Sequence, residues 1–425
     1  MYAPSESARE REVLLRHLEI KDSEIRISML RQGMEAVDRG IHAGGAMSAV
    51  LPLVALYYGG FMRIDVKHPT ETQDLFVLSK GHAVAAMASI YADLGYFDRK
   101  HLNRSRSRES ILNGHPGPLL PGVHVPTGPM GQGICVAGGF ALAGRGTGGF
   151  DVFTLTGDGE LQEGSVWEAV MYSGAVGLDN LCVIVDRNHG QLDNPCDTVF
   201  PMREPGPQFS AFGYRVVEVT AGDYGPMVEA LREFRNRVRD GRPTAIIVNG
   251  RKGDGAFGSD FIKHKLTLNR SAVETELLLQ ERRLQKRRAA LGDCLTGLRD
   301  VEPEVSPSPV HGIVCRKAPE RDKRIRFDDS ALPRIEPGER YQACDVVAKV
   351  MKAAAVDPRL VAIDSDLGST SGLYGGISAV DRTRAMNVGI AEANMMCIGE
   401  AYASLGYNAW VSRSEERRVG KECRS

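Results

Sequence analysis

An acid and an amide are the two side chains in this sequence whose types and spacing best suit chemistry. Asp158 lies in the turn Gly157-Asp158-Gly159, and Asn188 lies thirty residues further on. A carboxylate and an amide oxygen suit a hard cation such as Mg²⁺, which takes a few protein oxygens at about 2.1 Å and completes its shell with phosphates. The two glycines let the backbone approach a bulky anion closely. The pattern therefore predicts a metal–diphosphate site.

Two strands and a helix must position this pair. The residue pattern predicts a strand over 152–156, a helix over 163–175 and a second strand over 180–185. Such a βαβ unit implies parallel strands in an α/β sheet with helices on both faces. Ligands of these sheets bind beyond the carboxyl ends of the strands, and the N-terminus of the following helix favours phosphate there. Both predicted site residues lie at such strand ends.

Further elements extend the pattern on either side. We expect a helix within residues 1–40, a helix over 227–239, a strand over 244–248 and a charged helix over 270–300. A second α/β pattern begins near Tyr341, with strands over 360–363 and 385–389 and a helix from 391. The polar, proline-rich stretch before it is interpreted as a linker. We predict domains at 1–269 and 339–412, joined by a helical segment and linker at 270–338.

The last thirteen residues differ from the rest of the chain. Residues 413–425 contain eight charged side chains and interrupt an apolar pattern that runs to Trp410. They resemble the translation of a sequencing-library adapter. We therefore expect a non-native tail and a longer natural protein.

Composition excludes several classes of protein. Of 425 residues, 53 are Lys or Arg and 54 are Asp or Glu, so the net charge of −1 gives no basis for a nucleic-acid partner. Eight cysteines without a C-x-x-C pair argue against a zinc site and fit a reducing compartment such as the cytoplasm. The uncharged stretch 43–61 contains Pro52 and four glycines, which favours a buried core helix over a membrane span.

Several motifs together resemble one enzyme family. G-D-G-E-L-Q-E-G followed by V-D-R-N resembles the thiamine-diphosphate motif of transketolases. The resemblance extends over residues 25–410 except the linker, and its segments occur in the family's order: DRGIHAGGAMS, SKGHAVA, NGHPGPLLPGVHVPTGPMGQG and NVGIAEANMMCIGEA. It implies the thiamine-diphosphate-binding fold, an α/β fold with a parallel sheet and helices on both faces, followed by the start of a second, pyrimidine-binding α/β domain.

The resemblance implies a ligand set. The metal ligands would be Asp158, Asn188 and the Gly190 carbonyl, around Mg²⁺ or alternatively Ca²⁺ or Mn²⁺. The residues expected to contact thiamine diphosphate are those two metal-binding side chains together with Gly128, Pro129, Met130, Gly131, Gly157, Gly159, Glu163, Asp366 and Glu392.

Catalytic roles follow from the same resemblance. Glu392 is expected to hydrogen-bond the aminopyrimidine ring, and Glu163 to link the two active sites of a dimer. Arg340 lies a few residues from the position of a phosphate-binding arginine, whereas the run 104–108 (RSRSR) is interpreted as a solvated loop. The histidines expected to line the channel and move protons on substrate hydroxyls are His42, His82, His115 and His264.

The implied reaction is transfer of a two-carbon ketol unit from a ketose phosphate to an aldose phosphate, in a homodimer of the full-length protein with no membrane partner. Other enzymes of the same cofactor class remain alternatives, namely a deoxyxylulose-phosphate synthase or a keto-acid dehydrogenase component. So does an inactive, transketolase-like binding module. The usual A-E-Q-[HN] motif reads Ala391-Glu392-Ala393-Asn394 here. Because pyrimidine-domain residues expected after Glu392 are missing, we expect this chain alone to be poorly active or inactive.

Overall fold

Two parallel sheets organise the chain in the computed structural model. It describes residues 8–35, 41–108, 110–146, 149–192, 194–258, 270–295 and 324–412. The strands are β1 (Leu75–Val77), β2 (Val152–Gly157), β3 (Leu181–Arg187), β4 (Gly190–Gln191), β5 (Asn194–Pro195), β6 (Arg215–Thr220), β7 (Thr244–Asn249), β8 (Leu360–Asp364), β9 (Ala385–Asn387) and β10 (Asn408–Ser412).

The first sheet has the strand order β1-β2-β3-β7-β6, and the second has the order β10-β8-β9. Every pairing in both sheets is parallel, whereas β4 and β5 form a small antiparallel ladder. The carboxyl ends of β2 and β3 therefore lie side by side at one edge, as the βαβ interpretation requires.

Helices surround these sheets. They are α1 (Ala8–Glu35), α2 (Ala43–Ser48), α3 (Val50–Tyr58), α4 (Val84–Asp93), α5 (Gly133–Gly146), α6 (Gly164–Ala175), α7 (Cys196–Val199), α8 (Pro205–Ala211), α9 (Tyr224–Asn236), α10 (Arg270–Leu295), α11 (Ala343–Ala354), α12 (Leu373–Ser378) and α13 (Glu392–Ser404). Short 3₁₀ turns at Gly81–Ala83 and Gly159–Gln162 lie next to predicted site residues.

The apolar side chains of β3 point alternately to the two faces of the first sheet, which explains why both faces carry helices. Cys182 and Ile184 belong to the core formed with α1, α3, α4 and α9, while Val183 and Val185 belong to the core formed with α5 and α6. Successive side chains of a strand point to opposite faces, so a fully apolar strand requires cover on both sides. The predicted fold class, a parallel α/β sheet with helices on both faces, is confirmed.

Close helix packing joins the two sheets. A Cβ atom on Gly139 of α5 would lie 2.7 Å from Ala401 Cβ and 2.9 Å from Ile398 Cα of α13. The glycine therefore allows the two helices to approach more closely than any other residue would permit. The domain boundaries placed at 269, 338 and 412 stay a prediction, and residues 413–425 lie outside the described ranges.

The apolar stretch 43–61 contains α2 and α3, whose side chains are almost entirely buried. Across the residues that the structure describes, no helix is both long and apolar enough to cross a membrane. The cysteines described with their side chains are all free thiols: Cys135, Cys182, Cys196, Cys344 and Cys397.

Candidate functional site: a diphosphate and metal edge

Asp158 connects the ends of two neighbouring strands. It follows β2 directly, and its Oδ1 accepts a hydrogen bond from the Gly159 amide at 2.8 Å. Its Oδ2 accepts from the His189 amide, just beyond β3, at 2.5 Å. His189 is held at φ 59°, an uncommon conformation for a residue other than glycine. The carboxylate thus fixes the backbone immediately after Asn188.

Asn188 is oriented from both ends of its amide. Its Oδ1 accepts from the Gly190 amide at 3.0 Å, and its Nδ2 donates to Ser48 Oγ at 3.0 Å. The side chain is buried. The three residues predicted to hold the metal, Asp158, Asn188 and Gly190, therefore lie in one hydrogen-bonded arrangement.

The donor set fits a hard cation that brings further ligands with it. In the described ranges, no cluster of three or more His, Cys, Asp or Glu side chains is placed to hold a metal. One carboxylate, one amide oxygen and one carbonyl leave coordination positions for phosphate oxygens, as Mg²⁺ commonly requires. Burial raises the pKa of Asp158 above its ordinary value, with Lys80 opposing the rise and Asp186 adding to it. A bound cation would favour the ionised form of this acid.

Lys80 and Asp186 form a buried ion pair that sequence reasoning missed. Lys80 Nζ lies 2.5 Å from Asp186 Oδ2, which also accepts from Ser48 Oγ at 2.7 Å. A Cβ atom on Gly157 would lie 3.4 Å from the Lys80 side chain, so the lysine stem lies against the glycine turn. The sequence feature that could have identified this pair is its position next to predicted site residues. Lys80 precedes the Gly81-His82 pair, and Asp186 lies two residues before Asn188.

Three of the four predicted channel histidines form one cluster. The ring centroids of His82 lie 4.9 Å from His42 and 4.6 Å from His115, and those of His42 and His115 are 5.6 Å apart. Burial lowers the pKa of His82 to about 4, and the two neighbouring rings act in the same direction. His82 is therefore neutral near pH 7. The fourth, His264, lies outside the described residues.

His115 is a neutral ring with an unused nitrogen. Burial lowers its pKa, and the positive charge of Arg106 adds to this effect. Among the described residues, none hydrogen-bonds its buried Nε2 atom. Interpreting the run 104–108 as a solvated loop was incomplete, because Arg106 is only partly exposed and the Arg106 guanidinium lies beside Gly114, next to His115. A buried polar atom of this kind is suited to a ligand.

The loop of residues 128–131 packs against the His115 ring at one end and against Glu163 at the other. A Cβ atom on Gly81 would lie 3.4 Å from the Gly128 backbone and 3.1 Å from the His115 ring. Gly131 has φ +80°, and a Cβ atom there would lie 2.7 Å from Glu163 Cβ. Pro129 and Met130 between them are exposed. Glycine is required at position 131 by both conformation and space.

The remaining predicted residues belong to the second sheet. Asp366 follows β8 with φ 56°, and its amide donates to Asn387 Oδ1 at 3.1 Å. Glu392 is the first residue of α13 and is half-buried. Two residues further on, the Asn394 amide donates to Glu168 Oε2 of α6 at 3.0 Å. Arg340 is exposed. Asp366 and Glu392 therefore lie beside the second sheet, whereas Asp158, Asn188 and Gly190, the predicted metal edge, lie at the carboxyl end of the first.

A parallel sheet whose carboxyl edge holds an acid, an amide and glycine turns is typical of α/β proteins that bind phosphate-bearing ligands. Residues 23–273 match the family profile described as "Transketolase, thiamine diphosphate binding domain". The match covers more than half of the chain, which therefore belongs to the transketolase family.

Relatives support this assignment. The chain is 35% identical to an apulose-4-phosphate transketolase subunit of Phocaeicola vulgatus, over 50% of this chain and 76% of that protein. It is 34% identical to "6-deoxy-6-sulfo-D-fructose transketolase subunit SqwG" of Clostridium sp., over 52% and 80%. It is 33% identical to the transketolase of Homo sapiens, over 55% of this chain but only 37% of the human protein.

Solved structures show the same fold. A transketolase variant from Pichia stipitis superposes with a TM-score of 0.72 at 21% identity, covering 93% of this chain and 64% of that one. The transketolase of Leishmania mexicana gives a TM-score of 0.72 at 21% identity, over 92% and 64%. The chain thus spans less than two thirds of these transketolase chains.

Proposed function

We propose that this chain holds thiamine diphosphate through a divalent cation and serves transketolase-type transfer of a two-carbon ketol unit from a ketose phosphate to an aldose phosphate. The observation that carries the proposal is the contact between Asp158 and the His189 amide, which brings the ends of β2 and β3 together. The family assignment supports the cofactor. Mg²⁺ is the proposed cation, with Ca²⁺ and Mn²⁺ as alternatives of the same oxygen preference.

The first sheet would hold the diphosphate. Asp158, Asn188 and the Gly190 carbonyl would hold the cation, while Gly157 and Gly159 leave room for phosphate oxygens next to the turn. Lys80, whose aliphatic stem lies against Gly157 and whose ammonium pairs with Asp186, would offset part of the negative charge of the diphosphate. The loop 128–131, with Gly128, Pro129, Met130 and Gly131, would lie along the cofactor.

Proton movement would fall to the histidines and to Glu392. Bound thiamine diphosphate supplies a carbon nucleophile and stabilises the negative charge left when the substrate's carbon–carbon bond breaks. His42, His82 and His115 would hold and move protons on substrate hydroxyls. Neutral rings suit this role because each can donate from one nitrogen and accept at the other. Glu392 would hydrogen-bond the pyrimidine ring.

Assembly and location are part of the same proposal. We propose a homodimer, with Glu163 and Asp366 near the cofactor, acting on sugar phosphates in the cytoplasm. Two relatives at 34–35% identity are named as subunits, so an assembly with a different polypeptide is a second candidate.

Two measurements on one sample test the proposal. Proton exchange at C2 of thiamine diphosphate, followed by NMR with Mg²⁺ present, should accelerate when the protein is added. Ketol transfer between a ketose phosphate and an aldose phosphate should then be detectable. Tight cofactor binding without accelerated exchange would favour the inactive binding module. Exchange with turnover of a keto acid in place of sugar phosphates would favour another enzyme of the cofactor class.

A further inference from the structure

Glu160 is a buried carboxylate that belongs to neither the metal edge nor the histidine cluster. Only 3% of its surface is exposed. It lies in the 3₁₀ turn that follows Asp158. Ionised carboxyl groups are rarely buried unless their charge is compensated by several hydrogen bonds or by a cation. Its surroundings therefore need an explanation.

Four donors from three separate segments meet this carboxylate. Oε1 accepts from Ser79 Oγ at 2.5 Å and from the Gly131 amide at 2.9 Å. Oε2 accepts from Thr156 Oγ1 at 2.8 Å and from the Gly157 amide at 3.2 Å. Oε1 thus binds the loop 128–131, and Oε2 binds the end of β2.

The loop and the end of β2 are both proposed to hold the cofactor. Gly131 closes the loop 128–131, and Gly157 opens the turn that carries Asp158. Ser79 extends the connection, because its Oγ accepts from the Ile134 amide at the start of α5 at 3.0 Å. Space is tight on the loop side, since a Cβ atom on Gly133 would lie 2.5 Å from Ser79 Cα. The loop and the turn therefore have little freedom to move apart.

We infer that Glu160 is a positioning residue, which sets the distance between the loop 128–131 and the Gly157 turn and so preorganises the cofactor site. The inference rests on the proposed function. The chemical reason is that an ionised carboxylate only accepts hydrogen bonds, on both oxygens. Hydroxyl donors can rotate, but the peptide N–H groups of Gly131 and Gly157 cannot turn away. Glutamine has only one acceptor oxygen, so its NH₂ group would face one of these two N–H groups, donor against donor. Only one of the two segments could then keep its hydrogen bond.

The substitution Glu160→Gln tests this role at nearly constant volume. We expect the Kd of thiamine diphosphate, measured by titration calorimetry with saturating Mg²⁺, to rise about tenfold or more, the scale of one lost charged hydrogen bond. Thr156→Val removes one hydroxyl donor but keeps the hydrogen bonds from the Gly131 and Gly157 N–H groups to the carboxylate. It should change the Kd by less than about threefold.

A buried acid at the opposite edge of the sheet provides the control. Asp74 also accepts several hydrogen bonds, from the Arg63 and Asp151 amides among others. Asp74→Asn should lower the melting temperature but leave the Kd within about twofold of wild type, since a purely structural effect does not reach the cofactor. Equal Kd values for Glu160→Gln and wild type, or equal losses in Glu160→Gln and Asp74→Asn, would contradict the inference.

Amide hydrogen exchange of the wild-type protein provides a second test of the inference, which can be used even if Glu160→Gln does not fold. Without cofactor, the Gly131 and Gly157 amides should exchange at the same slow rate, because one opening event releases both. Rates differing by more than about tenfold would overturn the inference. Failure of wild type to bind the cofactor would refute the proposed function instead, while the exchange rates would still report on the connection.

Discussion

At the scale of single residues, burial adjusts protonation without any bound ligand. The carboxyl of Asp158 has a raised pKa, and the imidazole of His82 has a lowered one. The common cause is the cost of placing charge in a poorly hydrated site. The two shifts have different consequences, because a bound cation would oppose the rise in the pKa of Asp158, whereas the lowered pKa of His82 keeps its ring neutral near pH 7.

The pKa of His82 predicts how stability depends on pH. Its value falls from 6.5 to about 4 on folding, so the unfolded chain binds more protons than the folded one between these limits. The free energy of unfolding should therefore fall as pH decreases from about 6.5 to about 4. Urea unfolding at several pH values should show that the free energy of unfolding falls less steeply with decreasing pH in His82→Gln than in wild type.

An exposed histidine is the matched control for this measurement. His68 lies at the surface. In His68→Gln, the free energy of unfolding should change with pH as steeply as it does in wild type. A slope for His82→Gln identical to that of wild type would show that the protonation of His82 does not contribute.

At the scale of elements, the opposite edge of the first sheet is held by buried ion pairs. Asp74 and Asp151 face Arg235, and Asp151 also pairs with Arg239 at 2.9 Å. Asp74 precedes β1 and Asp151 precedes β2, so these bonds anchor the amino ends of strands whose carboxyl ends carry the site. The candidate site and the anchoring ion pairs thus lie at opposite edges of the first sheet.

Neutralising Asp74 should destabilise the fold strongly. Asp74→Asn leaves the buried Arg235 without one of its charge partners, a change that typically costs about 3–5 kcal/mol. Chemical unfolding should report this loss. As a comparison, Glu274→Ala breaks the exposed pair with Arg270 and should cost no more than about 0.5 kcal/mol. A loss for Asp74→Asn as small as that for Glu274→Ala would refute this account of the edge.

The contact between α5 and α13 predicts a separate effect. Gly139→Ala would place a methyl group 2.7 Å from Ala401 Cβ, so the helices must move apart. Hydrogen exchange across residues 392–404 should then accelerate, while β2 and β3 stay protected. Gly375→Ala in α12 meets nothing within 4 Å and should leave this exchange unchanged. Unchanged exchange in Gly139→Ala would show that the two helices need no close contact.

Local sequence patterns predicted the central strands and several of the longer helices but missed elements that depend on tertiary context. The buried β3 was predicted over 180–185 and is found at Leu181–Arg187, because its apolar run and flanking turns are unambiguous. The three-residue β1 and the edge strand β6 (Arg215–Thr220) were missed. β1 is too short for a periodic signal, and the half-exposed side chains of β6 give no continuous apolar run.

The same distinction applies to the site. Asp158 and Asn188 were predicted because each follows a recognisable strand. Lys80, Asp186 and Glu160 were not, because the contacts of each include a partner 81 or more residues away in the chain. No local pattern encodes such contacts. The roles of Asp366 and Glu392 rest on family resemblance and stay predictions.

At the scale of the whole molecule, cofactor binding should stabilise the folded state. A ligand that binds only the folded chain raises its stability by about 2.7 kcal/mol when present at a hundred times its Kd. Thermal unfolding should therefore shift upward when thiamine diphosphate and Mg²⁺ are added together, and much less when either is added alone. Equal shifts with and without Mg²⁺ would argue against a metal-bridged diphosphate.

Calorimetric titration of thiamine diphosphate into wild type, Asp158→Ala and Asp197→Ala tests the metal edge most directly. Asp197 is an exposed acid close to the site in sequence, so its variant controls for loss of charge. With Mg²⁺, wild type and Asp197→Ala should bind alike, while Asp158→Ala should lose about a hundredfold or more in affinity. Chelation of the cation should weaken binding to the wild type in the same way. Unchanged affinity in Asp158→Ala, or binding that ignores the chelator, would contradict the central claim.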